Sequence, residues 1–132
     1  MKKVAIIIIN YKDYAERFLA DCIDSLRQQQ ANNFTWQLYI IDNASNDDSQ
    51  IYLKQHVPEA KIIPRKDGNY SAANRAGIEK AMQDGCDYFV IANMDVEFDR
   101  NWLNELVKSI NSNEKVGIAQ SKVMLYSNKN KI

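Results

Sequence analysis

Several residue types that mark particular classes of protein are scarce in this sequence. Histidine occurs once, at His56, and the two cysteines, Cys22 and Cys86, stand in no metal-ligand spacing. These counts argue against a histidine-rich metal site, a serine-type triad and a cysteine zinc site. We therefore expect Cys22 to be a reduced thiol of the core and His56 to end a short surface helix.

An excess of charge and long apolar runs are also lacking. The 17 basic and 17 acidic residues cancel, so no net charge attracts nucleic acid or anionic lipid. The apolar run Val4–Ile9 is shorter than the core of a signal peptide, about 7 to 15 residues. No stretch approaches the ~18 apolar residues that span a bilayer. We expect one domain over residues 1–132 in the cytoplasm, with membrane association left open for a longer protein.

Apolar runs alternate with helical periodicity along the chain. Uninterrupted runs, of which Val4–Ile9 and Tyr88–Ala92 are the clearest, predict strands buried on both faces of a parallel sheet. The pattern predicts strands at Val4–Ile9, Phe34–Ile41, Ala60–Ile63, Tyr88–Ala92 and Val116–Ala119, and helices from Asp13 to about Gln29, over Ile51–Gln55, over Tyr70–Asp84 and from Trp102 to Ile110. This order predicts a doubly wound α/β fold, a Rossmann-like, mostly parallel sheet with helices on both faces. Since no helix follows the last strand, we expect the amino-terminal part of a longer protein.

Two of the helices carry more specific expectations. Asp13, with Glu16 three positions later, resembles a capping box. Ala73, Gly77 and Ala81 follow one another at intervals of four residues. Such small side chains let a helix lie close to a sheet, which would bring its amino end near the carboxyl edge of the strands.

Polar side chains follow the predicted strands, where open α/β sheets bind their ligands. They are Asn10 and Tyr11 after the first strand, Asp42 after the second, Arg65–Asn69 after the third and Asn93–Glu97 after the fourth. Tyr11 could stack on a nucleobase, Asp42 could accept a hydrogen bond from a base N–H, and an arginine near a helix amino end could meet phosphate. A carboxylate such as Asp95 could hold a divalent cation that in turn holds a diphosphate.

The same residues also have simpler interpretations. Asp99 is better explained as a cap of the following helix, and Asp95 is evenly balanced between a ligand and a loop residue. The cluster from Asp42 to Asp48 is typical of a turn with capping potential. Dinucleotide dehydrogenases and P-loop NTPases are disfavoured because their glycine-rich motifs are missing. A phosphoacceptor receiver domain would need paired acids where Asn10 and Tyr11 stand.

Five segments together resemble one enzyme family. They are V-A-I-I-I-I-N-Y-K at the start, I-I-D-N-A-S-N-D-D-S at 40–49, G-N-Y-S-A-A-N-R-A-G-I at 68–78, D-Y-F-V-I-A-N-M-D-V-E-F at 87–98 and D-R-N-W-L-N-E-L-V after it. The chain resembles the family 2 glycosyltransferases of GT-A fold, and within them the bacterial rhamnosyl- and galactosyltransferase branch. The resemblance covers about positions 3–125. It implies a nucleotide-diphospho-sugar transferase fold, truncated in this chain.

The resemblance implies a role for each matching residue. Asn10 and Tyr11 would line the base and ribose pocket, and Asp42 would bind the base. Asp95 would hold Mg²⁺ or Mn²⁺ against the donor diphosphate. The remaining donor-site residues would be Asn93, which would contact ribose or sugar, and the pair Asn74 and Arg75. Glu97 would be a weaker candidate for contact with the sugar or the metal.

Two positions depart from the family pattern. Asn69 stands where the family has glycine, and asparagine tolerates a positive φ better than most residues. Arg75 stands one position after its family equivalent, which rotates it by about 100° around the helix.

The reaction implied is an inverting, metal-dependent transfer of a sugar from a UDP- or dTDP-linked donor to a saccharide or lipid-linked acceptor, in surface polysaccharide biosynthesis. The catalytic base would lie beyond Ile132. The alternative is a truncated nucleotide-sugar-binding module without turnover, and a third interpretation is an α/β scaffold with no ligand. An uncovered sheet edge would favour a homo-oligomer.

Overall fold

The computed structural model describes residues 1–128, in which strands and helices alternate. The elements are β1 (Lys2–Tyr11), α1 (Tyr14–Arg27), β2 (Phe34–Asn43), α2 (Asp47–His56), β3 (Lys61–Pro64), α3 (Tyr70–Gln83), β4 (Tyr88–Ala92) and α4 (Trp102–Asn111). The strands form one parallel sheet in the order β3-β2-β1-β4. The predicted α/β fold with a parallel sheet is confirmed.

The central strand β1 separates two apolar layers. Its residues Val4, Ile6 and Ile8 pack in one core cluster with side chains of α1, α2 and α4. The alternate residues, Ala5, Ile7 and Ile9, pack in a second cluster with α3. The prediction that this strand is buried on both faces is confirmed, and helices lie on both faces of the sheet.

Helix α3 lies unusually close to the sheet. A Cβ on Gly77 would lie 2.6 Å from Cγ2 of Ile7 and 3.1 Å from Cδ1 of Ile41. Carbon atoms pack at about 3.5–4.0 Å, so no larger residue fits here without a shift. The close approach explains the predicted stripe of small residues, because the buried residues of α3 are Ala73, Gly77 and Ala81.

Strand β4 corrects one prediction. It was expected to be buried on both faces, but it is an edge strand paired only with β1 among the described elements. Phe89 and Ile91 are 38% and 49% exposed, whereas Tyr88 and Val90 pack against the core. The reason is the position of α3, which packs mainly over β1 and β2 and leaves the outer face of β4 open.

The predicted strand Val116–Ala119 is also wrong. These residues have no strand pairing, and Ile118 is 89% exposed. β-branched residues favour a strand only where a neighbouring strand accepts their backbone hydrogen bonds, and none of the described strands does so. The segment instead borders an apolar cleft of about 600 Å³ beside β4 and α4.

The helix starts show three kinds of cap. Asp13 was expected to cap α1, but its side chain makes no cap hydrogen bond. Asn10 does so from outside the helix, through a 2.9 Å bond from the Ala15 N–H to its Oδ1. Asn46 caps α2 in a full capping box. Asn69 caps α3 through its side chain. Its φ is −73°, so the expectation that asparagine is needed here to tolerate a positive φ is wrong.

Two smaller expectations are confirmed. His56 ends α2, and Cys22 is fully buried. Asp99 was expected to cap α4, but the N-cap position is Asn101 and the helix has no side-chain cap hydrogen bond. The Asp99 carboxylate instead accepts a 2.8 Å hydrogen bond from the Asn101 N–H in the turn before α4. None of the helices within residues 1–128 combines the length and apolarity that a bilayer crossing requires.

Candidate functional site at the carboxyl edge of the sheet

The carboxyl ends of β1 and β2 place two pairs of polar residues side by side. In the parallel register, Asn10 lies opposite Asp42, and Tyr11 lies opposite Asn43. Because both strands are parallel, the loops that follow them leave the sheet at the same edge. The residues that the sequence assigned to two separate motifs are therefore neighbours.

Asp42 is the centre of a closed hydrogen-bond network. Its Oδ1 accepts from the Asn10 amide at 2.8 Å, and its Oδ2 accepts from the hydroxyls of Ser45 and Ser49 at 2.6 Å each. Asp42 is 0% exposed and Asn10 is 1% exposed. A buried carboxylate is stable only with such donors around it. Asp42 thus joins β1, the loop after β2 and helix α2.

This arrangement bears on the role expected for Asp42. Both carboxylate oxygens are engaged within the protein, and the side chain is enclosed. Contact between Asp42 and a nucleobase stays a prediction. The sequence reasoning missed Ser45 and Ser49, although their positions, three and seven residues after Asp42, are a signal. Ser45 lies in the loop after β2 and Ser49 in the first turn of α2, and both hydroxyls reach back to the carboxylate.

The loop after β3 is fixed to the loop after β2 by its backbone. The Arg65 N–H donates to the Asp42 carbonyl at 2.8 Å, and the Ser45 N–H donates to the Arg65 carbonyl at 2.8 Å. The Ala44 N–H donates to the Asp67 carbonyl at 2.9 Å. The Arg65 guanidinium, 2.7 Å from the Asp67 carboxylate, lowers the pKa of Asp67 from its ordinary value. These bonds hold the segment 65–69 rigidly against Asp42.

Tyr11 lies over this loop with part of its ring free. The residue is 36% exposed, and a Cβ on Gly68 would come within 2.8 Å of its Cε2. Gly68 therefore allows the backbone to lie directly against the ring. The ammonium of Lys12 lies 4.9 Å from the ring centroid. A partly exposed aromatic ring at a sheet edge can stack on a flat ligand.

Buried polar atoms without a partner gather around the amino end of α3. They are Oδ1 of Asn43, Nε of Arg65 and Oδ1 of Asn74. The Asn43 amide donates to the Asn69 carbonyl at 3.3 Å, and the Asn74 amide donates to the Tyr70 carbonyl at 3.2 Å. The two Oδ1 atoms are hydrogen-bond acceptors, so they fit N–H or O–H groups of a ligand rather than phosphate oxygens. The start of α3, where the first N–H groups of the helix favour an anion, fits a phosphorylated ligand.

The loop after β4, residues 93–97, forms a second rim of the site, across β1 from the loops after β2 and β3. Asp95 lies on this rim. It is exposed, and its carboxylate makes no hydrogen bond or ion pair with residues 1–128. Burial and, to a smaller extent, the negative charge of Asp95 raise the pKa of the Cys22 thiol to about 12. Glu97 is also exposed and has an interaction partner. Met94, between Asn93 and Asp95, is buried and anchors the loop to the core.

Within residues 1–128 no three His, Cys, Asp or Glu side chains converge as a metal site. A tightly caged metal does not fit this donor set. Mg²⁺ instead commonly binds through one or two carboxylates, with waters and substrate phosphates as its other ligands. Asp95 fits a cation of that kind, shared with a phosphorylated ligand.

Arg75 is not among the residues that the structure brings together. Its guanidinium forms a 2.7 Å ion pair with Glu79, one turn further along α3, and its side chain is 81% exposed. The pair raises the pKa of Arg75. This placement agrees with the rotation expected from its shifted position in the sequence. Arg65, in the loop after β3, is instead the arginine with an unpartnered buried atom, its Nε.

A second, smaller cleft opens beside the network. It has a volume of about 320 Å³ and lies between the loops after β1 and β2. Its lining includes Asn10, Lys12, Asp13, Glu16, Asp48 and Tyr52. The carboxylates of Asp13, Glu16 and Asp48 outnumber the one cation, Lys12, so this cleft suits neutral or cationic groups better than phosphate.

Comparison with solved structures finds the same fold in S. aureus TarS. The crystal structure of TarS 1–349 superposes with a TM-score of 0.68 at 14% identity, over 96% of this chain and 40% of that one. TarS 1–349 in complex with UDP-GlcNAc superposes with a TM-score of 0.66 at 15% identity, over 96% and 38%. The chain thus spans less than half the length of the proteins it resembles, and at this identity the likeness shows the fold.

A search among curated proteins found no match to the chain. The family model of glycosyl transferase family 2 matches residues 5–131, which is nearly the whole sequence. The matched range contains all four strand ends that build the site. The chain therefore belongs to glycosyl transferase family 2.

Proposed function

We propose that the carboxyl edge of the sheet binds the nucleoside diphosphate of a sugar donor, UDP- or dTDP-linked, for transfer to a saccharide or lipid-linked acceptor. The observation that carries this proposal is the meeting of the partly exposed Tyr11 ring, the Arg65 loop and the start of α3 at the carboxyl ends of β1, β2 and β3. Two relatives in fold, crystal structures of TarS, contain UDP and UDP-GlcNAc.

The two rims of the site bind different parts of the donor. Tyr11 supplies a ring for the base, and Asn10 and Asp42 hold the surrounding loops in place. Arg65 and the start of α3 meet the diphosphate, since a cation and helix N–H groups both favour negative charge. Asn93, on the opposite rim, faces the ribose or the sugar.

Metal dependence belongs to the same proposal. Asp95 would hold Mg²⁺ or Mn²⁺, and the cation would neutralise the charge that develops on the departing diphosphate. Met94 holds the backbone of this loop against the core, so the Asp95 carboxylate stays at the rim. The inverting mechanism, the rhamnosyl- or galactosyltransferase branch, the homo-oligomer and a place in surface polysaccharide biosynthesis remain predictions.

A binding module without turnover is the second candidate. The observation that favours it is coverage, because the chain spans 40% of TarS 1–349. In that case these 132 residues bind the donor but supply neither acceptor recognition nor the base that deprotonates the acceptor hydroxyl. The two candidates share the donor site and differ in whether these 132 residues transfer sugar.

Thermal unfolding with and without ligand tests donor binding. A ligand at 100 times its dissociation constant stabilises the folded state by about 2.7 kcal/mol. UDP or dTDP with Mn²⁺ is therefore expected to raise the melting temperature by several degrees, whereas ribose 5-phosphate at the same concentration has little effect. An unchanged melting temperature with every nucleoside diphosphate would refute the proposal. Release of UDP from a UDP-sugar in the presence of acceptor separates the enzyme from the binding module.

A further inference from the structure

A hydrogen bond connects the two rims of the site. The Tyr70 hydroxyl, on the first residue of α3, donates to Oδ1 of Asn93 in the loop after β4, at 3.1 Å. Tyr70 is 51% exposed, and Asn93 is exposed as well. A bond this exposed contributes little to the stability of the fold. Its consequence lies in the orientation that it gives to Asn93.

The structure places the oxygen end of the Asn93 amide against Tyr70. An asparagine side chain carries an acceptor oxygen and a donor NH₂ on opposite sides of Cγ. Because Oδ1 faces the Tyr70 hydroxyl, Nδ2 lies on the side away from Tyr70. Within residues 1–128 no group accepts a hydrogen bond from this Nδ2. Two N–H donors are therefore presented at the rim, beside Asp95.

We infer that Tyr70 is a positioning residue that orients Asn93 to donate a hydrogen bond to a hydroxyl oxygen of the sugar donor. This inference rests on the proposed function, because it assumes that a nucleotide sugar occupies the site. Divalent cations bind oxygen atoms, and the oxygen of Asn93 is engaged by Tyr70. On this rim Asn93 thus binds a hydroxyl group and Asp95 binds a cation.

Calorimetric titration of variants tests the role of Tyr70. Tyr70→Phe removes only the hydroxyl and is expected to weaken binding of UDP-GlcNAc with Mn²⁺ about fivefold, the effect of one hydrogen bond, with an unchanged melting temperature. Tyr14→Phe is the matched control, since Tyr14 is the first residue of α1, is 38% exposed and makes no hydroxyl hydrogen bond within residues 1–128.

A double-mutant cycle separates positioning from a direct contact. If Tyr70 acts through Asn93, Tyr70→Phe has no further effect once Asn93→Ala is present. Independent, additive losses from the two substitutions would overturn the inference. The source of the hydroxyl follows from two further titrations: a loss with UDP alone assigns it to ribose, and a loss with UDP-GlcNAc only assigns it to the sugar.

The remaining outcomes are also distinct. Wild-type binding with an unchanged affinity of Tyr70→Phe would overturn this inference and leave the proposed function standing. No binding of any nucleoside diphosphate by the wild type would overturn both. An equal loss of affinity in Tyr14→Phe would show that the effect is not specific to Tyr70, and would also overturn the inference.

Discussion

Asn10 and Asp42 lie opposite each other on adjacent parallel strands, and the Asn10 amide donates a 2.8 Å hydrogen bond to the Asp42 carboxylate. The other amide atom of Asn10, Oδ1, accepts from the Ala15 N–H at the start of α1. One buried pair therefore connects the sheet edge to the first helix and, through Ser45 and Ser49, to the second helix. The carboxyl edge is rigid where these elements meet.

Loss of the Asp42 carboxylate is expected to destabilise the fold. Asp42→Ala leaves the donors of Asn10, Ser45 and Ser49 buried without an acceptor, and each such group costs about 1–3 kcal/mol. Relaxation of the two serine hydroxyls toward other acceptors reduces the sum, so we expect the free energy of unfolding to fall by about 3 kcal/mol. Urea denaturation measures it. Asp48→Ala, an exposed carboxylate six residues later, is the control and is expected to cost about 0.5 kcal/mol. Equal effects of the two substitutions would contradict the network.

Close packing of α3 predicts that Gly77→Ala destabilises the protein. Alanine favours a helix by about 1 kcal/mol over glycine. Its Cβ would however lie 2.6 Å from Ile7, whose side chain is fully buried, and overpacking of this kind costs about 1–3 kcal/mol. Strain is expected to win, with a lower midpoint of thermal unfolding. Gly117→Ala is the control because its Cβ would meet nothing within 4 Å. A more stable Gly77→Ala would show that α3 can move away from the sheet.

Acid sensitivity is expected from Asp84 at the carboxyl end of α3. Lys61 and Lys80, each 2.6 Å away, together with the Tyr39 hydroxyl, hold the pKa of Asp84 well below its ordinary value. A carboxyl group with a lowered folded-state pKa stabilises the fold above its unfolded pKa, near 4, and loses this contribution as the pH falls further. Asp84→Asn should therefore be less stable than wild type at pH 7, and the difference should narrow below about pH 4. A difference that stays constant down to pH 2 would contradict this role.

The sequence predicts most of the fold because a continuous apolar run suits a strand that is buried on both faces. Val4–Ile9 lies between two helix layers, and only apolar residues suit both faces. The same pattern misleads at Tyr88–Ala92, because burial there depends on the place of β4 in the strand order, which periodicity does not encode. At Val116–Ala119 strand propensity alone was misleading, since propensity acts only through a neighbouring strand.

The site could be predicted in its residues but not in its contacts. Asp42 was identified from its place after a strand, yet its closed network depends on Ser49, which faces it only after α2 has formed. The displacement of Arg75 follows from helix geometry alone. The bond from Tyr70 to Asn93 joins residues 23 positions apart, and no local pattern signals it.

Donor binding that depends on Asp95 and a divalent cation is the most direct test of the account. Calorimetric titration of a UDP-sugar with Mn²⁺ is expected to show binding by the wild type and at least tenfold weaker binding by Asp95→Asn. Without Mn²⁺ the two proteins should bind alike, since only the cation involves Asp95. Asp21→Asn, an exposed carboxylate on α1, should match the wild type throughout. Equal affinities of wild type and Asp95→Asn, with and without Mn²⁺, would contradict the proposed metal role, and absence of binding by the wild type would contradict the donor site itself.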